Sequence, residues 1–184
     1  MSSLSHIGVL PQRFNVEPLR QALLAHPELW NQYKGRLNHP ESPHRDTDDI
    51  WMRFAKENLG HPDERVMGPH ESVWYPASET LSAGRALAER MYHYVEGKEF
   101  GGVLIIRVPP GRQIYRHVDL GWHAAHYQKI AVQIEGHPDQ EFAFEDGSLS
   151  ALSGECYWLD NSFPHWVTNP TSKDWINMTV CYRN

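Results

Sequence analysis

Histidine and aspartate recur along this chain at a spacing that suits a metal centre. The sequence holds 12 histidines in 184 residues. Among its His-x-Asp triplets are His117-Val118-Asp119 and His44-Arg45-Asp46. Residues two apart on a β-strand point to the same face, so either triplet can offer an imidazole and a carboxylate to one ion. A further histidine, His165, follows later in the chain and is a third candidate ligand.

The residues around each triplet predict different structures. An apolar run over 102–108 and a Pro-Pro-Gly turn precede His117, which favours a strand, whereas His44 lies in the polar run NHPESPHRDTDD. We therefore interpret His44 as a solvated loop residue and set it aside. His117, Asp119 and His165 remain, a set of two imidazoles and one carboxylate that is typical of mononuclear non-haem iron with open positions. Four Cys or His ligands would instead close the site.

Composition and charge exclude several classes of protein. With 40% hydrophobic and 22% charged residues, the chain is neither disordered nor a coiled coil, and its length suits one domain over 1–184. It has no apolar run of about 18 residues and no secretory leader, so we expect no membrane partner. The formal net charge of −6 disfavours nucleic acid as a partner. The two cysteines make no disulfide framework, which favours a reducing cytoplasm.

Hydrophobic periodicity predicts the elements that position the candidate ligands. A helix is expected over 17–30 and a longer one over 78–96, with Ser78 as its N-cap. After the longer helix the period changes to two, and turn signals separate five predicted strands: 103–108, 129–134, 141–145, 155–159 and 175–182. So many short strands favour an antiparallel sandwich or jelly roll. Residues 1–77 are then expected as helices and loops on its outside, with one short strand over 50–54.

A longer pattern carries a family resemblance. The segments GGVLIIRVPPGRQIYRHVDLG, YQKIAVQIEG, FAFEDGSLSALSGECYWLDNSFPHWVTNP and WINMTVCYR follow one another in a little under half of the chain. In this order they resemble the aspartyl/asparaginyl β-hydroxylase family of Fe(II)/2-oxoglutarate-dependent dioxygenases. The resemblance implies a mainly β fold with flanking α-helices: a cupin-like double-stranded β-helix over 100–184, with a helical and loop region over 1–99 packed on it. It also implies that His117, Asp119 and His165 are the catalytic iron ligands.

One position departs from the family pattern. The family carries an arginine downstream of the distal histidine, on the last strand, where it binds the far carboxylate of 2-oxoglutarate, but this chain has Trp175 there. A carboxylate buried in an apolar barrel needs a cation or several donors. Lys129 is the first candidate, because it begins a predicted strand and the family has a basic residue at that position. The residues predicted to surround the co-substrate are Lys129, Arg107, Gln133 and Trp175, with Arg116 and Lys173 as further cations.

Aromatic and histidine side chains flank the predicted iron ligands. We expect His123 and His126 in a loop at the mouth of the cavity, where histidine can contact substrate, although their spacing would also allow metal binding from a helical turn. Trp122 and Trp166 are candidate substrate-lining residues, and packing within the core is an equally good interpretation of both. The predicted substrate-binding residues are therefore Trp122, His123, His126 and Trp166.

The resemblance implies a hydroxylase that uses Fe(II), 2-oxoglutarate and O₂. Its substrate would be an amino-acid side chain, either in a free amino acid or in a peptide or protein. The missing arginine keeps a second hypothesis open: a cupin-like metal-binding protein without oxygenase activity, acting as a hydrolase, an isomerase or a ligand-binding module. A nucleic-acid oxygenase is a third hypothesis, which the net charge disfavours.

Overall fold

A computed structural model describes residues 5–184 of the chain. Its strands are β1 (Ile7–Arg13), β2 (Asp48–Ala55), β3 (Ser72–Trp74), β4 (Glu99–Val108), β5 (Gln113–His117), β6 (Gln128–Glu135), β7 (Glu141–Phe144), β8 (Gly147–Leu149), β9 (Glu155–Leu159), β10 (His165–Thr168) and β11 (Trp175–Arg183). Its helices are α1 (Glu17–Ala25), α2 (Ala77–Thr80), α3 (Ser82–Tyr94) and α4 (Trp122–His126), with short 3₁₀ turns at Pro27–Leu29 and Lys56–Asn58.

The strands form two sheets whose inner faces share one apolar layer. The larger sheet has the order β1-β9-β6-β11-β4-β2-β3, the smaller has the order β5-β10-β7-β8, and their strands pair antiparallel. From β4 to β11 the chain passes repeatedly from one sheet to the other, which is the winding of a jelly roll. This confirms the predicted mainly β fold with flanking helices. The five strands predicted after the long helix lie at β4, β6, β7, β9 and β11.

The N-terminal part of the chain extends the larger sheet. The sequence predicts one strand there, over 50–54, and the structure has three: β1 pairs with β9, and β2 lies between β4 and β3. β1 is hard to predict because polar residues and Pro11 interrupt its apolar pattern. An edge strand tolerates such a proline, since the amide on its outer side needs no partner in the sheet.

The long helix predicted from the sequence is divided in two. α2 ends at Thr80 and α3 begins at Ser82, with Leu81 between them at φ −92° and ψ 53°. Leu81 is fully buried in the core, so the break between the helices coincides with an inward-facing apolar side chain. Ser78 lies buried within α2 rather than at a helix start, and the predicted N-cap is therefore wrong.

Two apolar layers stabilise the fold. The first packs α1 and α3 on the outer face of the larger sheet, and it includes Leu23, Met91 and Val132. The second lies between the sheets, where Ile106 faces Phe142 and its neighbours. This second layer leaves a cavity of about 640 Å³ next to the predicted ligands. Within residues 5–184, no helix combines the length and apolar character needed to cross a bilayer.

Candidate metal centre

His117 and His165 face each other on paired strands of the smaller sheet. His117 is the last residue of β5, His165 is the first of β10, and the two are register partners with ring centroids 4.3 Å apart. Each Nδ1 contacts the carbonyl two residues earlier, Tyr115 O at 2.7 Å and Phe163 O at 2.9 Å. A carbonyl only accepts, so Nδ1 carries the proton in each neutral ring and Nε2 keeps its lone pair for a metal.

Asp119 completes this group from a loop. β5 ends at His117, so the carboxylate lies just beyond the strand that the His-x-Asp spacing predicts. Its Oδ1 is 3.3 Å from His117 Nε2, and its Oδ2 accepts hydrogen bonds from Lys129 Nζ and from Asn161 Nδ2. Burial alone would raise the pKa of Asp119, but Lys129 and His117 hold it well below its usual value. The carboxylate is therefore ionised at neutral pH.

The donor atoms fit a divalent metal ion. His117 Nε2 is buried and has no hydrogen-bond partner among residues 5–184, although it lies opposite Asp119 Oδ1. In the neutral ring both atoms offer electron pairs, so a cation between them would satisfy both. Burial lowers the pKa of His165 to about 4, which keeps this second ring neutral and able to bind a metal at pH 7.

His44 also lies in this cluster. Its side chain is only 8% exposed, its ring centroid is 4.8 Å from that of His117, and one donor atom from each of His44, His117 and Asp119 lies within 4.8 Å of the others. Burial, with a contribution from Arg36, lowers the pKa of His44 well below its usual value. The prediction that His44 is a solvated loop residue is wrong, because its polar loop packs against β5 beside the ligands.

The residues predicted to surround the co-substrate divide between two faces. Lys129 and Trp175 line the cavity. Gln133 shares the Lys129 face of β6, as predicted, but it is fully buried and does not line the cavity, and it accepts a hydrogen bond from Tyr157 Oη at 3.3 Å. Burial alone would lower the pKa of Lys129, but the Asp119 carboxylate raises it above its usual value.

The other predicted cations lie away from the cavity. Arg107 is on the opposite face of β4 from the cavity-lining Ile106, and its guanidinium pairs with Asp48 at 2.8 Å. Arg116 is exposed and forms an ion pair with Glu145. Lys173 is exposed in the turn before β11. None of these three side chains lines the cavity within the part of the chain that the structure describes.

The predicted substrate residues are also separated. Trp122, His123 and His126 lie in helix α4 rather than in a loop. Of these three side chains, only His123 lines the cavity. Trp122 stacks on His126 with ring centroids 4.4 Å apart, and His126 contacts Glu99 at 2.8 Å, outside the cavity lining. Trp166 is on the outer face of β10, between two buried residues.

Several polar residues that the sequence analysis does not select surround the centre. Asn161 donates to Asp119 Oδ2 at 3.2 Å, and Asn177 lines the cavity with its Oδ1 buried and unpaired among the described residues. Arg36 lines the rim and pairs with the fully buried Asp49 at 2.5 Å and 2.7 Å. The sequence could not single out these residues, because a lone asparagine or arginine has no distinctive spacing. Of the residues added to the centre by the structure, only His44 has a recognisable motif, its His-x-Asp triplet.

Two solved structures share this fold. An oxidoreductase of the 2OG-Fe(II) oxygenase family from Burkholderia pseudomallei matches with a TM-score of 0.58 and 15% identity, covering 96% of this chain and 84% of that one. The viral collagen prolyl hydroxylase of Paramecium bursaria Chlorella virus 1, in its 2OG complex, matches with a TM-score of 0.55 and 11% identity, covering 96% and 95%.

No protein-family model and no curated protein matches the sequence. At 15% and 11% identity, the structural likeness shows a shared fold alone. The resemblance to aspartyl/asparaginyl β-hydroxylases therefore stays a prediction from the motifs. The chain shares the jelly-roll fold of these two structures, and the side chains of His117, Asp119 and His165 line its inner cavity.

Proposed function

We propose that this chain is an Fe(II)- and 2-oxoglutarate-dependent dioxygenase that hydroxylates an amino-acid side chain. The observation that carries the proposal is the approach of His117 Nε2 and Asp119 Oδ1 to 3.3 Å inside the jelly roll, with His165 beside them. Two imidazoles and one carboxylate hold Fe(II) while leaving positions for other ligands. When bound, iron with 2-oxoglutarate and dioxygen supplies the oxidising chemistry.

The chain's own task is to hold the ligand atoms in place. Backbone carbonyls orient the rings of His117 and His165, so neither histidine has to reorganise when it binds a cation. Lys129 and Asn161 both bind Asp119 Oδ2, which directs Oδ1 towards His117. The three donors are thus fixed from outside by separate parts of the fold.

Lys129 is the residue that we assign to the co-substrate. It is a buried cation that lines the cavity and contacts a ligand carboxylate. A divalent ion would take over the charge compensation of Asp119, which leaves Lys129 Nζ to pair with a carboxylate of 2-oxoglutarate. Trp175 supplies an apolar wall of the same cavity in place of the arginine of the family pattern.

The substrate enters where the cavity meets the surface. Met67 and Leu120 line this rim and are 41% and 70% exposed, and His123 lines the same cavity. The same cavity also carries exposed side chains of both charges, Glu41, Glu64 and Arg65, whereas a phosphate backbone is bound by a consistently basic surface. One of the structural neighbours described above is a collagen prolyl hydroxylase, which favours, by analogy of fold, a side chain within a peptide or protein.

The test is an anaerobic titration of the metal-free protein with Fe(II) and 2-oxoglutarate. We expect a visible charge-transfer band, and succinate formation when O₂ is admitted. His165→Ala should remove both signals, whereas His137→Ala, in the turn before β7 and outside the cavity lining, should retain them. An iron-loaded wild-type protein with neither the band nor succinate would overturn the proposal.

One observation favours a second candidate function. Trp175 occupies the cavity where the family pattern has a cation, so a metal-binding cupin-like protein with hydrolase or isomerase activity, or with a binding function alone, is the alternative. The same experiment separates the two candidates. Binding of the divalent metal without 2-oxoglutarate turnover would support the alternative.

A further inference from the structure

His44 is held beside the metal centre by contacts on both sides of it in the chain. Tyr115 of β5 donates its backbone N–H to Pro43 O at 2.9 Å and its hydroxyl to Asp46 at 2.8 Å. The guanidinium of Arg45 lies 3.4 Å from the centroid of the Tyr115 ring. The loop that carries His44 is therefore attached to the strand that carries His117, two residues beyond Tyr115.

The spacing of the rings matches that of neighbouring ligands on one ion. With a metal–nitrogen distance of about 2.1 Å, the centre of a bound imidazole lies about 3.2 Å from the ion, and two adjacent ligands at a right angle have ring centres about 4.5 Å apart. The centroids of His117 and His165 are 4.3 Å apart, and those of His44 and His117 are 4.8 Å apart. The ring of His44 therefore lies at nearly the same distance from His117 as the ring of His165, the other predicted histidine ligand.

The ring of His44 also lacks the contacts that a buried imidazole needs. Its Nδ1 is buried and has no hydrogen-bond partner in the part of the chain that the structure describes. A neutral imidazole has one donor and one acceptor nitrogen, and leaving either without a partner inside a protein costs about 1–3 kcal/mol. Coordination of a cation through this Nδ1 would offset that cost.

We propose that His44 is a fourth protein ligand of the metal ion, supplied by the loop before β2 rather than by the jelly roll. The ligand set is then three imidazoles and one carboxylate, which leaves two positions on a six-coordinate ion. This inference rests on the metal site of the proposed function, but not on its reaction. In a dioxygenase, a chelating co-substrate and dioxygen would together need three positions, so they would have to displace His44 from the ion.

The first test is an anaerobic calorimetric titration of Co(II) into the metal-free protein. We expect His44→Ala and His44→Phe to weaken Co(II) binding at least tenfold, and His117→Ala to weaken it further. The control is His137→Ala, which lies outside the cavity lining and should leave the affinity within twofold. The Phe variant keeps an aromatic ring in the buried space, and thermal unfolding of each metal-free variant reports its folding.

The second test needs no variant. The Co(II)-loaded wild-type protein should show three sets of paramagnetically shifted imidazole resonances, and only two in His44→Phe. Two sets in the wild type, or an unchanged Co(II) affinity in both His44 variants while His117→Ala loses it, would overturn the inference. Three sets without succinate formation refute the dioxygenase and keep His44 as a ligand. Succinate formation with two sets refutes His44 alone.

Discussion

Lys129 Nζ and the carboxylate of Asp119 form an ion pair within the cavity. The two side chains are 15% and 23% exposed, and the amide of Asn161 donates to the same carboxylate oxygen. The pair connects β6 of the larger sheet to the loop after β5 of the smaller sheet. The metal centre and the closure of the two sheets therefore depend on the same contact.

Removal of the Lys129 charge should destabilise the metal-free protein. In Lys129→Met the carboxylate of Asp119 stays buried without a cation, and we expect the free energy of unfolding to fall by about 3 kcal/mol. Saturating Co(II) should restore most of this loss, because the ion supplies the missing positive charge. Urea denaturation with and without Co(II) measures both effects, and Lys173→Met at an exposed position is the control. Equal losses under both conditions would contradict the prediction.

The same variant tests the co-substrate site. We expect Lys129→Met, loaded with Co(II), to bind 2-oxoglutarate at least tenfold more weakly than the wild type, because a buried carboxylate of the co-substrate would lose its cation. Calorimetric titration of 2-oxoglutarate into the two Co(II) proteins gives this ratio. An unchanged affinity would remove Lys129 from the co-substrate site.

The ion pair between Arg36 and Asp49 should control the position of His44. Asp49 is fully buried at the start of β2, and Arg36 lies earlier on the loop that leads to His44. Arg36→Met should lower the free energy of unfolding by about 3 kcal/mol, since it leaves a buried carboxylate without its partner. Arg36→Met should also weaken Co(II) binding, because the loop that carries His44 loses its ion pair with Asp49.

The control for Arg36 is an ion pair within a single helix, which does not hold a loop in place. Arg20 and Glu17 are exposed on α1, with side chains 36% and 54% accessible. Arg20→Met should leave both the free energy of unfolding and the Co(II) affinity close to the wild-type values. A Co(II) affinity that is the same in Arg36→Met and wild type would separate this ion pair from the metal centre.

His123 should make the protein less stable as the pH falls. It accepts the Gly102 N–H at Nε2 (3.3 Å), contacts His70 Nε2 through Nδ1 (3.0 Å), and is half-buried at the cavity wall. Burial, together with His70, lowers the pKa of His123 from 6.5 to about 3. The unfolded chain takes up this proton near pH 6.5 and the folded protein does not until about pH 3, so stability falls between these values.

Substitution of His123 should therefore flatten this pH dependence. One proton taken up only by the unfolded chain changes the free energy of unfolding by about 1.4 kcal/mol per pH unit. We expect His123→Gln to reduce the slope between pH 6 and pH 4 by up to that amount, whereas Leu120→Ala, at the same rim, should keep the wild-type slope. Urea denaturation at several pH values measures the slopes, and identical slopes in His123→Gln and wild type would refute the assignment.

Trp175 should contribute to stability as well as to the shape of the cavity. It is 2% exposed at the start of β11, and its ring centroid is 6.4 Å from that of Phe142 across the inner layer. Trp175→Ala should cost about 3–5 kcal/mol, because the surrounding side chains cannot fill the space, and Trp175→Phe should cost less. Trp166→Ala, on the outer face of β10, should cost less than Trp175→Ala in urea denaturation; equal costs would contradict the inward role of Trp175.

The class of the fold and the main ligands follow from local sequence patterns. Alternation with a period of two predicts the strands of the jelly roll, because each strand has one face towards an apolar layer. The apolar run before His117 and the aromatic strand before His165 place both within the predicted jelly roll, but β5 and β10, which carry them, are not among the five predicted strands. The side of β6 that carries Lys129 and Gln133 is also predictable, since their neighbours Ile130, Val132 and Ile134 are apolar.

The partners of these residues depend on how distant segments pack. His44 has the same His-x-Asp spacing as His117, yet its burial arises from contacts between its loop and Tyr115, about 70 residues later in the chain, and local composition carries no record of them. Lys129 lines the cavity and Arg107 does not, because only one face of each strand meets the second sheet and Arg107 is on the other face. Periodicity along one strand identifies its two faces, but the cavity exists only where two sheets leave space between them.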